Sequence, residues 1–188
     1  MGALAGIWSP KECDVTFEIK NMLGQLSLFE HDKRGYFQKQ PMALGYVHQH
    51  SRNLSEYVWN DDRIFLTFIG DIRNSADLKR STNSSADKSM AKMLASLYYK
   101  FEEQMALKIN GVFALWIYDK QKKCAMLIND RFVQTRIYYT KVGNTILFAS
   151  KAKALLSNHR VGAGVNKSML LDLLLYRSPM SNESLFDG

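Results

Sequence analysis

The sequence lacks the features of disulfide-bonded, secreted and membrane-spanning proteins. Its 188 residues include only two cysteines, Cys13 and Cys124, too few for a disulfide framework or a cysteine-rich zinc site. The longest apolar run, residues 169–175, is interrupted by Asp172 and is far shorter than the ~20 residues that cross a bilayer. The N-terminus is apolar but has neither the basic flank nor the length of a signal peptide. We therefore expect a protein of the reducing cytoplasm without a membrane segment.

Acidic residues are also in deficit, because Lys and Arg exceed them and give a formal net charge of +7. The excess is dispersed, and its densest group, residues 120–123, has the composition of a solvated hairpin turn. Dispersed charge of this kind argues against a nucleic-acid partner. A basic module that binds nucleic acid or an acidic protein stays open as an alternative function. Hydrophobic residues make up 46% of the chain, which indicates a folded globular domain.

The spacing of the apolar residues predicts short strands and amphipathic helices. The expected strands are 4–8, 43–47, 63–69, 111–119, 124–129, 136–141 and 145–150. One helix is expected to begin after an Asp14 cap and run towards Phe29, and others are expected over 90–101, over 151–157 and, with Asn166 as cap, over 167–176. Residues 30–40 and 81–87 are expected to be polar connections. Nearly continuous apolar residues in 111–117 and 124–128 predict coverage of both sheet faces. Hairpins with helices before, between and after them predict an α+β fold with two antiparallel sheets covered by helices.

Several segments resemble motifs of one enzyme family, in the same order along the chain. They are Leu4–Ile7 (the end of CGIAGI), Gly70–Asn74 (GEIYN), Gly111–Asp119 (a glycine-led FAFALWD), Asp130–Phe132 with Ile137–Tyr139 (DRFGxxPLYY), Phe148–Leu156 (FASExKALL) and Ser184–Gly188 (the approach to a linker). The family is the glutamine-hydrolysing domain at the front of asparagine synthetases, a class II glutamine amidotransferase. The resemblance implies an N-terminal-nucleophile hydrolase fold, a four-layer α/β/β/α sandwich, over residues 1–176.

In that family a second, ATP-using domain with a glycine-rich pyrophosphate loop forms the amide. The 188 residues contain no counterpart of that loop. Residues 177–188 are therefore expected to be a tail that leads to a synthetase domain, a partner in cis or in trans. ATP and Mg are expected only in that domain, with no cofactor in this one. A second copy of the chain, which would form a homodimer, stays open as a further partner.

The family's nucleophile is a cysteine that becomes residue one when the initiator methionine is removed, and its free α-amine acts as general base. When the chain is aligned on Leu4–Gly6, this cysteine falls at Gly2, which has no side chain. Ser9 and Cys13 come too late to lie beside the α-amine, and Cys124 is expected in a strand of the core. The resemblance therefore implies that no acyl-enzyme forms and that the domain has no catalytic residue.

Three further positions of the pocket depart from the family's pattern. The asparagine that completes the oxyanion hole should precede Gly70, but Ile69 stands there and donates no hydrogen bond. The arginine that binds the glutamine carboxylate falls at His48, which lacks a bidentate fork. The aspartate that holds the glutamine amine aligns with Met90, and Asp87 is the nearest carboxylate if the alignment shifts by three residues. Together with the missing nucleophile, these positions form a vestigial pocket.

Two smaller patterns carry less weight. Of the family's HRGPD segment, Asp32 and Gly35 fit best. His48 and His50 would share one face of a continuing strand, and His31 is a candidate third metal ligand, but no cysteine or carboxylate stands at a matching spacing. We expect no metal site there.

The departures predict a degenerate amidotransferase domain that scaffolds an ATP-dependent amide-forming domain. β-Lactam synthetases and lasso-peptide cyclases resemble asparagine synthetase in this way, and their substrates carry the attacking amine, so that no ammonia is needed. An active glutaminase with a rearranged pocket, which supplies ammonia for asparagine synthesis, is the alternative within the family.

Overall fold

The computed structural model describes residues 2–10, 14–27, 32–48, 57–82, 89–178, 180–181 and 183–187, and of His48 only the backbone. The strands are β1 (Ala3–Trp8), β2 (Lys33–Lys39), β3 (Met42–His48), β4 (Val58–Asn60), β5 (Ile64–Ile72), β6 (Gly111–Asp119), β7 (Cys124–Asn129), β8 (Tyr138–Val142) and β9 (Thr145–Ala149). The helices are α1 (Thr16–Leu26), α2 (Ser75–Thr82), α3 (Met90–Phe101), α4 (Ala152–Leu156) and α5 (Lys167–Tyr176), and a 3-10 helix covers Glu102–Leu107. Among the described helices, none is long and apolar enough to cross a membrane.

The strands form two antiparallel sheets. One has the order β2-β3-β1-β9-β8 and the other the order β4-β5-β6-β7. The described residues divide into two compact units: the first comprises those within 1–2, 31–33 and 48–137, and the second those within 3–30, 34–47 and 138–188. The predicted α+β fold with two antiparallel sheets is confirmed.

The second unit is built on the five-stranded sheet. Helix α1 buries Ile19, Met22, Leu23 and Leu26, spaced at three and four residues as on one helix face. They pack with α4 and with the small side chains of β1, among them Ala3 and Ala5. The predicted cap Asp14 lies one residue outside the cap position, which Val15 occupies, and its Oδ1 accepts a hydrogen bond from Thr16 N at 2.9 Å.

The first unit is built on the four-stranded sheet. Ile64, Leu66 and Phe68 of β5 pack with α3 in one apolar cluster. The register of β5 with β6 is continuous from Ile64 opposite Asp119 to Ile72 opposite Gly111. Helix α3 is capped by Ser89, whose side chain accepts a hydrogen bond from Lys92 N at 3.4 Å. The predicted helix over 90–101 and the strands 111–119 and 124–129 are confirmed with the same bounds.

Several predicted elements need correction. Residues 33–39, expected to be a polar connection, form β2, and residues 81 and 82 of the expected loop belong to α2. The strand expected over 124–129 is covered less completely than its apolar residues suggested, since its residues 125–128 are only half-buried. Cys124, expected in the core, is exposed at the start of β7. The reason is topological, because β7 is an edge strand and has a neighbour on one side only.

The tail turns back onto the domain. Asn166 N donates to Leu185 O and Asp187 N donates to Gly164 O, both at 2.9 Å. These bonds flank an antiparallel bridge between Val165 and Phe186. Residue 187 therefore lies beside residue 164, just before the first turn of α5.

Candidate active-site positions

Gly2 and His48 occupy the same end of the five-stranded sheet. Strand β1 pairs with β3 so that Ala3 is opposite Val47, and one further step along this register places Gly2 opposite His48. Gly2 is half-buried and offers only backbone atoms. The nucleophile and carboxylate-anchor positions of the alignment are thus neighbours in the ladder, but position 2 supplies no group that could attack a carboxamide.

Two of the residues considered as substitutes, Ser9 and Cys124, lie within the described part of the chain. Ser9 follows the other end of the strand, roughly 20 Å from Gly2 at ~3.3 Å per residue, and its hydroxyl is 3.3 Å from the Thr145 hydroxyl. Cys124 pairs with Asp119, which pairs with Ile64. Cys13 lies outside the described residues. Cys124 is exposed at the start of β7, so burial does not exclude it.

Ile69 and Gly70 lie side by side on β5, where the family's oxyanion donor is expected. Ile69 is 2% exposed, pairs with Ala114 and has no polar atom in its side chain. Gly70 has φ +107°, and a Cβ added there would lie 2.0 Å from the carbonyl oxygen of Val112 and 2.8 Å from Cα of Phe113. The close approach of β5 and β6 therefore requires glycine at position 70, whatever the chemistry of the site.

Met90 is the first residue of α3 and packs against the apolar cluster beneath that helix. Phe68 belongs to the same cluster, and alternation along β5 directs Ile69 to the opposite face of the sheet. Met90 and Ile69 therefore serve different faces. The amine-anchor position of the alignment carries a half-buried apolar side chain that packs against the core, and the alternative carboxylate, Asp87, lies outside the described residues.

Thr67 is a polar residue that the sequence analysis did not single out. It shares the face of β5 with Ile69, is 0% exposed, and its hydroxyl has no hydrogen-bond partner among the described residues. A buried hydroxyl without a partner costs about 1–3 kcal/mol. The signal was visible in the sequence, because Thr67 interrupts the apolar run Ile64–Ile69. One hydroxyl supplies a donor but no nucleophile paired with a base.

Of the two residues that fit the HRGPD segment, Gly35 has a steric role. A Cβ added at Gly35 would lie 2.3 Å from the hydroxyl oxygen of Tyr46 and 2.5 Å from its Cζ. Burial raises the pKa of the Tyr46 hydroxyl. Asp32 is 6% exposed. Gly35 is thus explained by the ring that lies over it.

The prediction about metal binding is tested only in part. Among the described residues, no group of three or more His, Cys, Asp or Glu side chains is arranged to hold a metal ion. His31, His50 and the side chain of His48 lie outside the described part of the chain. The absence of a cofactor from this domain stays a prediction.

The architecture matches that of known amidotransferases. Glutamine phosphoribosylpyrophosphate amidotransferase from B. subtilis aligns with a TM-score of 0.64 at 15% identity, over 82% of this chain and 43% of that chain. A second solved structure, described as the allosteric regulatory enzyme of purine biosynthesis, gives the same values. At this identity the likeness defines the fold alone. The fold is that of the N-terminal-nucleophile amidotransferases, as the resemblance implied.

Sequence comparison defines the family. The profile described as "Glutamine amidotransferase domain" matches residues 1–188, and the chain therefore belongs to that family. Asparagine synthetase [glutamine-hydrolyzing] 2 of Bacillus subtilis is 27% identical over 97% of this chain and 26% of its own length. Asparagine synthetase [glutamine-hydrolyzing] 3 of the same organism is 24% identical over 72% of this chain and 20% of its own length. The chain thus spans about a quarter of these relatives.

Proposed function

We propose that this amidotransferase domain has lost glutamine hydrolysis and acts as a scaffold for an ATP-dependent, amide-forming domain. The observation that carries the proposal is the glycine at position 2, at the head of β1, where the family's thiol is expected. Without a thiol there, a carboxamide carbon has no side chain to attack it, and no acyl-enzyme forms.

The oxyanion position supports the same conclusion independently. The buried apolar side chain of Ile69 gives no hydrogen bond to a negative oxygen, and the loss of one such donor slows acyl transfer by about 10²–10³. Met90, at the third aligned position, is half-buried against the core cluster and cannot pair with an ammonium group. Nucleophile, oxyanion donor and amine anchor are therefore all lacking at the aligned positions.

A scaffold role follows from the chemistry of amide formation. A synthetase that uses ammonia needs a glutaminase beside it, whereas a ligase whose substrate already carries the attacking amine does not. A domain of this kind can lose its hydrolytic groups while selection for folding keeps its sheets. The relatives are about four times as long as the match, which leaves room for a second domain in proteins of this type.

Glutamine hydrolysis tests the proposal directly. The purified chain is incubated with glutamine, and glutamate and ammonia are followed with time. We expect no release above that of a heat-denatured control. Sustained release, together with a covalent adduct of a glutamine-like diazoketone on a single residue, would establish an active glutaminase and overturn the proposal.

A further inference from the structure

Helix α5 exposes a continuous leucine surface. Leu170, Leu171, Leu174 and Leu175 are 42%, 57%, 71% and 70% exposed, respectively. Leu170 and Leu174 are four residues apart, as are Leu171 and Leu175, so the four side chains lie next to one another on one side of the helix. Among the residues of α5, only Met169 is buried. We call these four side chains the α5 leucine face.

Such a surface differs from the scattered apolar residues of an ordinary protein exterior. Helix α1 of the same unit buries four apolar side chains and leaves Phe17 alone exposed at its first turn. Single exposed apolar residues are common, whereas contiguous apolar patches mark interaction surfaces. A helix that is apolar on nearly all sides is normally buried within a larger protein. The α5 leucine face therefore has the character of an interface.

The backbone places the end of the described chain beside this helix. The bonds of Asn166 and Asp187 to the opposing segment hold residue 187 next to residue 164, and α5 begins at Lys167. A domain joined after this segment would start beside α5. A tethered partner binds at a high effective concentration, so that a modest apolar surface is sufficient.

Charge distinguishes a different partner from a second copy of this chain. Lys167 and Arg177, both exposed, stand at the two ends of α5. If two copies of α5 packed antiparallel, Lys167 of each would face Arg177 of the other, and like charges in that position are destabilising. A partner with an apolar centre and carboxylates at its rim avoids this repulsion.

We propose that the α5 leucine face docks the amide-forming domain through an apolar surface rimmed by carboxylates. The identity of that domain rests on the proposed function, whereas the location of the interface rests on α5 alone. The proposal assigns the scaffold role to one helix and explains its leucines.

Hydrogen exchange tests the location. Amide exchange along α5 is compared between residues 1–188 alone and the full-length product of the gene. We expect the α5 amides to exchange about tenfold or more slowly in the full-length protein, because the exposed turns become covered. Unchanged exchange in α5, self-association of residues 1–188 through α5, or a gene product without such a domain would each overturn the proposal.

A pair of variants separates docking from folding. Leu171→Glu/Leu175→Glu should abolish the added protection of α5 in the full-length protein and leave the melting temperature of residues 1–188 unchanged, since both side chains are exposed. Leu107→Glu is the matched control, because Leu107 is 83% exposed and belongs to the first unit. It should leave the protection intact, and equal losses in both variants would contradict the proposal. Glutamine hydrolysis, measured separately, would overturn the scaffold function without altering the exchange result.

Discussion

The hydroxyl of Tyr98 donates a hydrogen bond of 3.0 Å to Oδ2 of Asp119, a carboxylate that is only 1% exposed. Arg63 Nε donates to the same oxygen at 3.3 Å. The backbone N–H groups of Gln121 and Lys122 donate to Oδ1, each at 2.9 Å. Burial alone would raise the pKa of Asp119, but these hydrogen bonds outweigh it and the pKa is lowered. The ionised carboxylate thus links, through hydrogen bonds, helix α3, the residue that precedes β5 and the turn between β6 and β7.

The first prediction concerns the pH dependence of stability. Because the pKa of Asp119 is lower in the folded protein than in the unfolded chain, its contribution is complete above about pH 5 and is lost as the pH falls below about 4. Asp119→Asn should lower the free energy of unfolding at pH 7 by about 2–4 kcal/mol, since Arg63 loses its buried partner. The difference between variant and parent should shrink in urea unfolding at low pH.

Asp77→Asn is the control for this experiment. Asp77 forms an exposed pair with Arg80 at 3.0 Å, and exposed pairs contribute about 0–1 kcal/mol. Its removal should change stability by no more than that at either pH. An Asp119 variant as stable as the parent at pH 7 would show that the carboxylate is not what holds these elements together.

The second prediction compares two glycines. Gly70→Ala should destabilise the protein by about 2–4 kcal/mol, because its Cβ would collide with the β6 backbone and its φ is unfavourable for alanine. Gly24→Ala should instead stabilise it by about 0.5–1 kcal/mol, since alanine is the better helix former and a Cβ at Gly24 meets nothing within 4 Å. Thermal unfolding of both variants measures the contrast, and equal effects would contradict it.

The third prediction concerns Val133, which has φ +51°. A left-handed conformation costs a residue with a Cβ about 1–2 kcal/mol, and the resembling motif has glycine at this position. Val133→Gly should stabilise the protein by about 0.5–1 kcal/mol after the greater flexibility of glycine in the unfolded chain is subtracted. Val133→Ala keeps the Cβ and should give less. If alanine matches glycine in urea unfolding, backbone strain is not the cause.

The fourth prediction concerns restoration of catalysis. Gly2→Cys alone should leave glutamine hydrolysis at background, because Ile69 provides no donor to the developing oxyanion. Gly2→Ala controls for the added Cβ, and glutamate release measures activity. Hydrolysis by the single cysteine variant would show that the remaining pocket is intact and that only the nucleophile was lost.

Much of the fold was predictable because its core elements are strongly periodic. Helix α5 begins at the expected cap, with Asn166 Oδ1 accepting from Met169 N at 3.2 Å, and β6 runs from Gly111 to Asp119 as expected. Strand β2 was missed because its sequence, KRGYFQK, has no apolar alternation. It lies at the edge of its sheet and is largely exposed or half-buried.

The positions of the candidate site were predictable only where they lie within or directly next to a strand that the sequence makes recognisable. Gly2 and Ile69 were placed by counting within or next to β1 and β5. Met90 was placed by counting back from Gly111, and its side chain is half-buried against the core cluster. The steric reason for Gly70 was not visible, because it depends on the approach of β6, a strand that is distant in the sequence.

The collision that any side chain at position 70 would cause also affects how related sequences are classified. In this chain the glycine is required by the spacing of two hydrogen-bonded strands. The same requirement would hold in a domain that hydrolyses glutamine and in one that does not, so this glycine by itself is no marker of activity.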